Sequence, residues 1–349
     1  MLHQKLRYAL FISVTMVAVT SHCSIVKSML GAYKQLFLKE AVYDGRALCF
    51  TAEEANSKIS MQAVGSAPAV SLETSIDSGK NWTPFVIGDT TITLTNVGDF
   101  VYFRAGKGGT GGDGANLSMS TGIDSYNQFN IITGKVSASG DISSLLVRKG
   151  MVNDLMGRDY CFNHLFYHCT GLTSTPALPA TRLARNCYRF MFTGCTSLTS
   201  APELPAKTLE SYCYYSMFNG CTSLTSAPEL PAKMLANYCY FYMFTNCRLI
   251  RFTPVLPAST LSNYCYRSMF HGCTSLEQVR VNFTDWIPSD ATLDWLLDIP
   301  QPTESTPRFF ECPEGLDTET NRDSSHVPVG WTVRTFNIGQ RPNPKGLGL

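Results

Sequence analysis

The sequence predicts a multidomain chain in which an N-terminal antiparallel β-sandwich is followed by an α/β solenoid of five repeat units and a C-terminal cap. Three observations predict it. Cysteines recur every 26 residues through the middle of the chain. Residues 46–145 alternate short β-branched runs with Gly, Asp and Asn turns, at the spacing of about 8–12 residues that marks a sandwich. The chain has 349 residues, which at about 150 per domain is room for about two domains.

Composition narrows the function classes. Lys plus Arg is 28 and Asp plus Glu is 27, a formal net charge of +1. A nucleic-acid binder working by bulk charge carries a clear basic excess, so that class is excluded. A hydrophobic content of 44% excludes wholesale disorder. Thirteen cysteines are more than an enzyme of a reducing compartment needs.

Residues 1–23 have the pattern of an export signal. Lys5 and Arg7 precede an uncharged, mostly apolar run from Tyr8 to Thr20. That run is shorter than the roughly 20 residues a membrane span needs, and it fits the apolar part of a secretory signal. Cys23 follows directly and resembles the lipidated cysteine of bacterial lipoproteins. Residues 24–45 have helix-like spacing and read as a short helix or tether. In the sandwich region, 46–145, Asp77-Ser78-Gly79 and Asn96 to Asp99 are the expected turns, and such a domain serves as a spacer beside repeats.

The repeat region spans 146–283. One cysteine column is Cys161, Cys187, Cys213, Cys239 and Cys265; a second is Cys169, Cys195, Cys221, Cys247 and Cys273. Leu165, Met191, Met217, Met243 and Met269 keep the same period, as does the phenylalanine column from Phe166 to Phe270. Leu209, Cys213 and Met217 are spaced i, i+4, i+8, which predicts a helix face, with Gly220 as its left-handed stop. Ser223 to Ala227 predicts a short strand, ended by Pro228. Each unit is thus expected to be one helix plus one strand, unable to bury its apolar side except against copies of itself.

Phe192 to Ser200 and Phe218 to Ser226 read F-x-G-C-T-S-L-T-S, each followed by L-P. This run resembles the BspA-like leucine-rich repeats, found in surface proteins of gut anaerobic bacteria and in tail proteins of their phages. The resemblance implies an α/β leucine-rich-repeat solenoid used for adhesion or recognition, without catalysis. The period of 26 and the P-E-L-P insert depart from the family pattern.

Residues 284–349 read as the cap and tail. Ser289 to Ile299 is the expected capping helix, with Ser289 as N-cap. Trp286 and Trp295 are expected to cover the last unit. Phe309 to Cys312 and Gly330 to Val333 are expected closing strands.

The candidate chemistry is sparse. The cysteine columns lie among Leu, Met and Phe columns, which makes them ladders of buried thiols; neighbouring units are also close enough for disulfides. Cys161, His164, His168 and Cys169 carry zinc-ligand atoms, but no C-x-x-C occurs and His168 shares a column with turn glycines. Gly108 to Asp113 holds a single copy of a calcium-binding glycine-rich pattern that needs consecutive copies. Neither H-E-x-x-H nor G-x-S-x-G is present, and Glu203 and Glu229 stack through repetition as a solvated face. No catalytic residue, metal or cofactor is therefore expected.

Variation concentrates in two columns. One runs Asn163, Arg189, Tyr215, Phe241, Arg267; the next runs His164, Phe190, Ser216, Tyr242, Ser268. Arg189, Tyr215, Phe241, Tyr242 and Arg267 are the candidate binding residues, because Arg and aromatic side chains anchor recognition surfaces. The expected function is adhesion or recognition of a macromolecular partner, a host or cell-surface protein or glycan, by a secreted or surface-anchored protein. A phage tail module for host attachment and, last, a carbohydrate-active enzyme are the alternatives.

Overall fold

A computed structural model describes residues 46–109, 115–148 and 150–337. The chain divides into two compact units. Of the first, Met1–Gly45 with Asp77–Lys80, the described part is the turn at 77–80, where Ser78 and Gly79 have positive φ. The second, Arg46–Ile76 with Asn81–Leu349, holds all that follows. The export-signal pattern, Cys23, the tether and most of the glycine-rich loop lie outside the described residues.

The second unit begins with nine strands: β1 (Leu48–Ala52), β2 (Ser57–Val64), β3 (Leu72–Ser75), β4 (Thr83–Phe85), β5 (Thr91–Leu94), β6 (Phe100–Ala105), β7 (Ser120–Gly122), β8 (Ser125–Thr133) and β9 (Val136–Ser139). They form two antiparallel sheets, β4-β3-β6-β1-β9 and β5-β2-β8-β7. Period-two alternation buries Leu48, Phe50 and Ala52 of β1 and Val101, Phe103 and Ala105 of β6. Phe129 of β8 meets Phe50 and Phe103 edge-on at 5.1 and 5.0 Å between centroids, so the two sheets share one core.

That core continues into the repeats without a break. β9 pairs in parallel with β10 (Leu172–Ser174), the strand of the first repeat unit. Phe129 stacks on Phe166 at 5.5 Å, Phe166 on Phe192 at 5.3 Å, and the series runs on through Phe218, Phe244 and Phe270. The Leu165, Met191, Met217, Met243, Met269 column and the Leu172 to Leu276 column are likewise fully buried.

The expected helix of each unit does not form, and this corrects the α/β reading. Among the described residues the one helical segment is a 3-10 turn, Ile142–Leu145. In place of a helix each unit has a run of turns in which alternate residues take positive φ, as at Tyr212, Tyr214 and Ser216. Those same residues, with Phe218 and Gly220, alternate in their hydrogen bonding. The N–H groups of Ser216, Phe218 and Gly220 donate to Phe241, Met243 and Thr245 of the next unit at 2.8–2.9 Å. Those of Tyr215, Met217, Asn219 and Cys221 donate three residues back within the unit. A helix would consume every interior N–H internally and leave none for the neighbour. A lone segment of this length also bears the nucleation cost of a helix with little to offset it. The cross-unit bonds offset the left-handed strain, which is of order 1–3 kcal/mol per non-glycine residue. Gly220 does take the positive φ that its sequence position requires. The expected strand at Ser223 to Ala227 does not form; Thr225 instead donates both its N–H and its hydroxyl to Thr199 O of the preceding unit, at 3.3 and 3.2 Å.

The second cysteine column has a defined role in this ladder. Cys169, Cys195, Cys221, Cys247 and Cys273 each donate Sγ–H to the carbonyl of Phe129, Phe166, Phe192, Phe218 and Phe244, at 3.0–3.1 Å. Phe192 O illustrates the pattern: it accepts from Cys195 N–H of its own unit and from Cys221 of the next. The F-x-G-C spacing thus joins each unit to its predecessor. All twelve described cysteines are buried and unpaired. Burial pushes the Cys169 and Cys273 thiols up to about 12, which keeps the proton the bond needs.

A second internal column is less well satisfied. Tyr188, Tyr214, Tyr240 and Tyr266 are buried and stack at 5.8–5.9 Å, and the hydroxyls of Tyr214, Tyr240 and Tyr266 lack a hydrogen-bond partner. The first unit has Phe162 in this column. An unpaired buried hydroxyl costs about 1–3 kcal/mol. Tyr240→Phe is therefore expected to leave the protein as stable as wild type or to stabilise it by about 1 kcal/mol, measured by urea unfolding. A loss above that amount would show that the hydroxyl is satisfied.

The capping helix is absent too. Residues 291–297 continue the turn run as a sixth rung: Tyr266, Ser268, Phe270 and Gly272 donate to the carbonyls of Ala291, Leu293, Trp295 and Leu297 at 2.8–2.9 Å. Ala291, Trp295 and Leu296 stand in the cysteine, methionine and phenylalanine columns. Trp286 and Trp295 do close the core, against Phe283 and Phe310. The strand side ends in a parallel sheet of β13 (Phe252–Leu256), β14 (Gln278–Val281), β15 (Phe309–Pro313) and β16 (Thr332–Phe336); the first closing strand forms where expected, and the second is shifted, starting at Thr332 after a turn at Gly330. Two two-residue strands, β11 (Arg182–Leu183) and β12 (Thr208–Leu209), pair in parallel after the proline segments.

Candidate functional site

The turn runs hold the two variable columns side by side. Their chain direction is fixed by the cross-unit bonds, so equivalent side chains lie one rung apart. Tyr215 stacks on Phe241 at 5.0 Å, with the rings 6° from parallel. The Arg189 guanidinium carbon lies 4.4 Å from the centre of the Tyr215 ring, and that of Arg267 lies 5.5 Å from the Phe241 ring. The four residues therefore form one continuous row, Arg189–Tyr215–Phe241–Arg267, with a cation over an aromatic ring at each end.

The row is not uniformly exposed. Arg189, Tyr215 and Arg267 are half-buried, whereas Phe241 is 7% exposed, covered by Tyr238, Tyr242 and Tyr264. Phe241 thus supports the surface from below, and the half-buried Tyr242 lies over it. Burial lowers the affinity of Arg189 for its proton and raises that of Tyr215. Arg189 keeps a polar anchor, donating Nη1–H to Asn186 Oδ1 at 3.0 Å.

A tyrosine ladder that the two variable columns do not contain flanks the row. Tyr212, Tyr238 and Tyr264 are half-buried and stack at 4.6 and 4.7 Å. Arg189 lies over Tyr212 and Arg267 over Tyr264, at 5.4 and 5.5 Å. The signal was available in the period: Tyr160, Asn186, Tyr212, Tyr238 and Tyr264 occupy one column.

At the sandwich end the neighbouring variable column begins with His164. Its ring is buried between Tyr126 of β8, 4.3 Å away and nearly parallel, and Phe190, 4.7 Å away. Nδ1 has no partner, and burial, with the Arg189 charge beside it, lowers the pKa to about 4. Asn163 donates Nδ2–H to Gly122 O at 2.9 Å and ties the first unit to the sandwich. His168 covers Gly194, where an added Cβ would come within 2.6 Å of its Nδ1. Among the described residues no group of three or more His, Cys, Asp and Glu side chains is placed to hold a metal ion. Glu203 and Glu229 are both exposed, and Glu203 borders an open, shallow depression along the proline segments.

Comparison with family models, curated proteins and solved structures finds no match. The geometry itself restricts what the surface can do. Ring faces along the row are turned toward one another, so solvent meets ring edges, phenol hydroxyls and guanidinium groups. Such a surface offers apolar contact with hydrogen-bond donors at regular intervals, spread over several rungs rather than converging on a point.

Proposed function

We propose that this chain is a non-enzymatic recognition protein of the BspA-like leucine-rich-repeat kind, exported to act outside the cytoplasm, that adheres to a macromolecular ligand through its aromatic–arginine row. The observation that carries this reading is the row itself, Arg189–Tyr215–Phe241–Arg267 flanked by the Tyr212–Tyr238–Tyr264 ladder. Core columns change little in character from unit to unit while these columns vary, and the changes are to side chains that bind well with little entropy loss. A flat, extended surface suits a protein or glycan, since small molecules favour enclosed concave sites. Export is supported by the pattern of residues 1–23, and Cys23 would carry the lipid if the protein is anchored.

The test is a screen of the full chain on protein and glycan arrays, repeated with Tyr215→Ala/Tyr242→Ala. Both side chains are half-buried, so the variant should keep its melting temperature within a few degrees. Loss of two anchors should weaken the hits at least about 30-fold, as for interface hot spots. Equal binding by wild type and variant, or no hit for either, counts against this surface.

A further inference from the structure

On the strand side, the fourth unit departs from the second and third at several columns, with Arg248 replacing Thr196 and Thr222 among them. Ser197 and Ser223 give way to Leu249, Thr199 and Thr225 to Arg251, Ser200 and Ser226 to Phe252, and Glu203 and Glu229 to Val255. The three apolar replacements are exposed, at 48, 49 and 36%. None of them belongs to the aromatic–arginine row, and a fold that tolerates Ser and Glu at these columns in two other units has no structural need for them.

The charges around this apolar strip have an order. Along the row of Val255, the preceding rungs carry exposed Glu203 and Glu229. The following rungs carry Arg280, Glu311 and Arg334, whose registers are set by the parallel pairing of β13, β14, β15 and β16. Glu311 contacts both arginines, at 3.4 and 3.8 Å, which leaves that cluster at a net +1. The sequence along the stack is therefore acid, apolar, base. A two-fold axis lying along the fourth-unit strand reverses this order while keeping the strand direction. It sets Leu249, Phe252 and Val255 against their own copies and Glu229 against Arg280 of the other chain. Arg251 also lies near such an axis, and Glu277 neutralises it through two bonds of 2.8 and 2.9 Å.

We infer that the strand face centred on Leu249, Phe252 and Val255 binds a second copy of this chain in an isologous, antiparallel dimer. At about 4.8 Å per rung and about 3.3 Å per residue, the patch measures roughly 24 Å by 20 Å. That is about 500 Å² per copy, at the low end of specific interfaces and the size of weak, transient association. The dimer leaves both aromatic–arginine rows uncovered and doubles the valency of whatever they bind.

Sedimentation velocity of the full chain from about 1 to about 200 µM tests this. Wild type should shift from monomer to dimer across that range. Leu249→Ser/Phe252→Ser/Val255→Glu restores the residues of the second and third units, so folding is preserved, and should raise the dissociation constant at least tenfold. Glu229→Arg should weaken the dimer as well, most at low salt. Monomeric wild type at every concentration overturns the inference and would leave the face to a different partner. A dimer indifferent to the triple variant, or to Glu229→Arg, overturns the proposed face or its antiparallel order.

Discussion

Leu224→Asp is expected to abolish the cooperative unfolding transition of the repeat stack. Leu224 is fully buried in a column that runs from Leu172 to Leu276. Truncating a buried leucine costs about 2–5 kcal/mol, and an unpaired buried carboxylate adds several more. Together these approach the roughly 5–15 kcal/mol that a domain has in total. Stacked repeats are stable through their neighbours, so the loss extends to the rungs on either side. Chemical denaturation followed by circular dichroism reads it directly, with Glu203→Gln as the control on the exposed face, expected within about 0.5 kcal/mol of wild type. A soluble Leu224→Asp protein melting within a few degrees of wild type would mean that the units do not share one core.

Acid is expected to weaken the junction between the sandwich and the first unit through His164. In the folded protein its pKa is about 4, against 6.5 for the free side chain. Between those values the unfolded chain binds the extra proton, so stability falls as pH drops through this window and levels off below pH 4. The full shift corresponds to about 3 kcal/mol, at about 1.4 kcal/mol per unit. His164→Phe places in this column the residue that the second unit already has at Phe190. Urea unfolding at about pH 7.5 and about pH 4.5 should show wild type losing about 2–3 kcal/mol more than the variant. Equal losses would mean that His164 is protonated freely in the folded state.

Periodicity made much of this molecule legible. The 26-residue columns locate the stacked core, both cysteine ladders and the two variable rows from the residues alone. Backbone conformation was not legible in the same way. Leu209, Cys213 and Met217 would share the inward face of a helix, yet all three are also buried with Leu209 in β12 and Cys213 and Met217 in the turn run, where Tyr214, Phe218 and Cys221 are buried too. What separates the two is where the N–H groups go, and that depends on the neighbouring unit. One local sign did oppose a helix: Cys213 to Cys221 is rich in Cys, Tyr, Phe, Ser, Asn and Gly, all weak helix formers. The sixth rung was hidden because Ala291, Trp295 and Leu296 keep the spacing while changing the residue types. Phe241 shows the limit for the candidate site, since a variable column does not reveal which of its members its neighbours cover.

The parallel pairing of β9 with β10 bears on the order in which the chain folds. A strand at the edge of a finished sandwich is a template, and each rung laid on it exposes the template for the next. Growth from such a seed avoids forming a free-standing first unit, the costliest event in a repeat array. Synthesis from the N-terminus delivers the seed before the units that need it. Moving the sandwich to the C-terminus by circular permutation would leave the final contacts intact, yet every unit would leave the ribosome before its template existed.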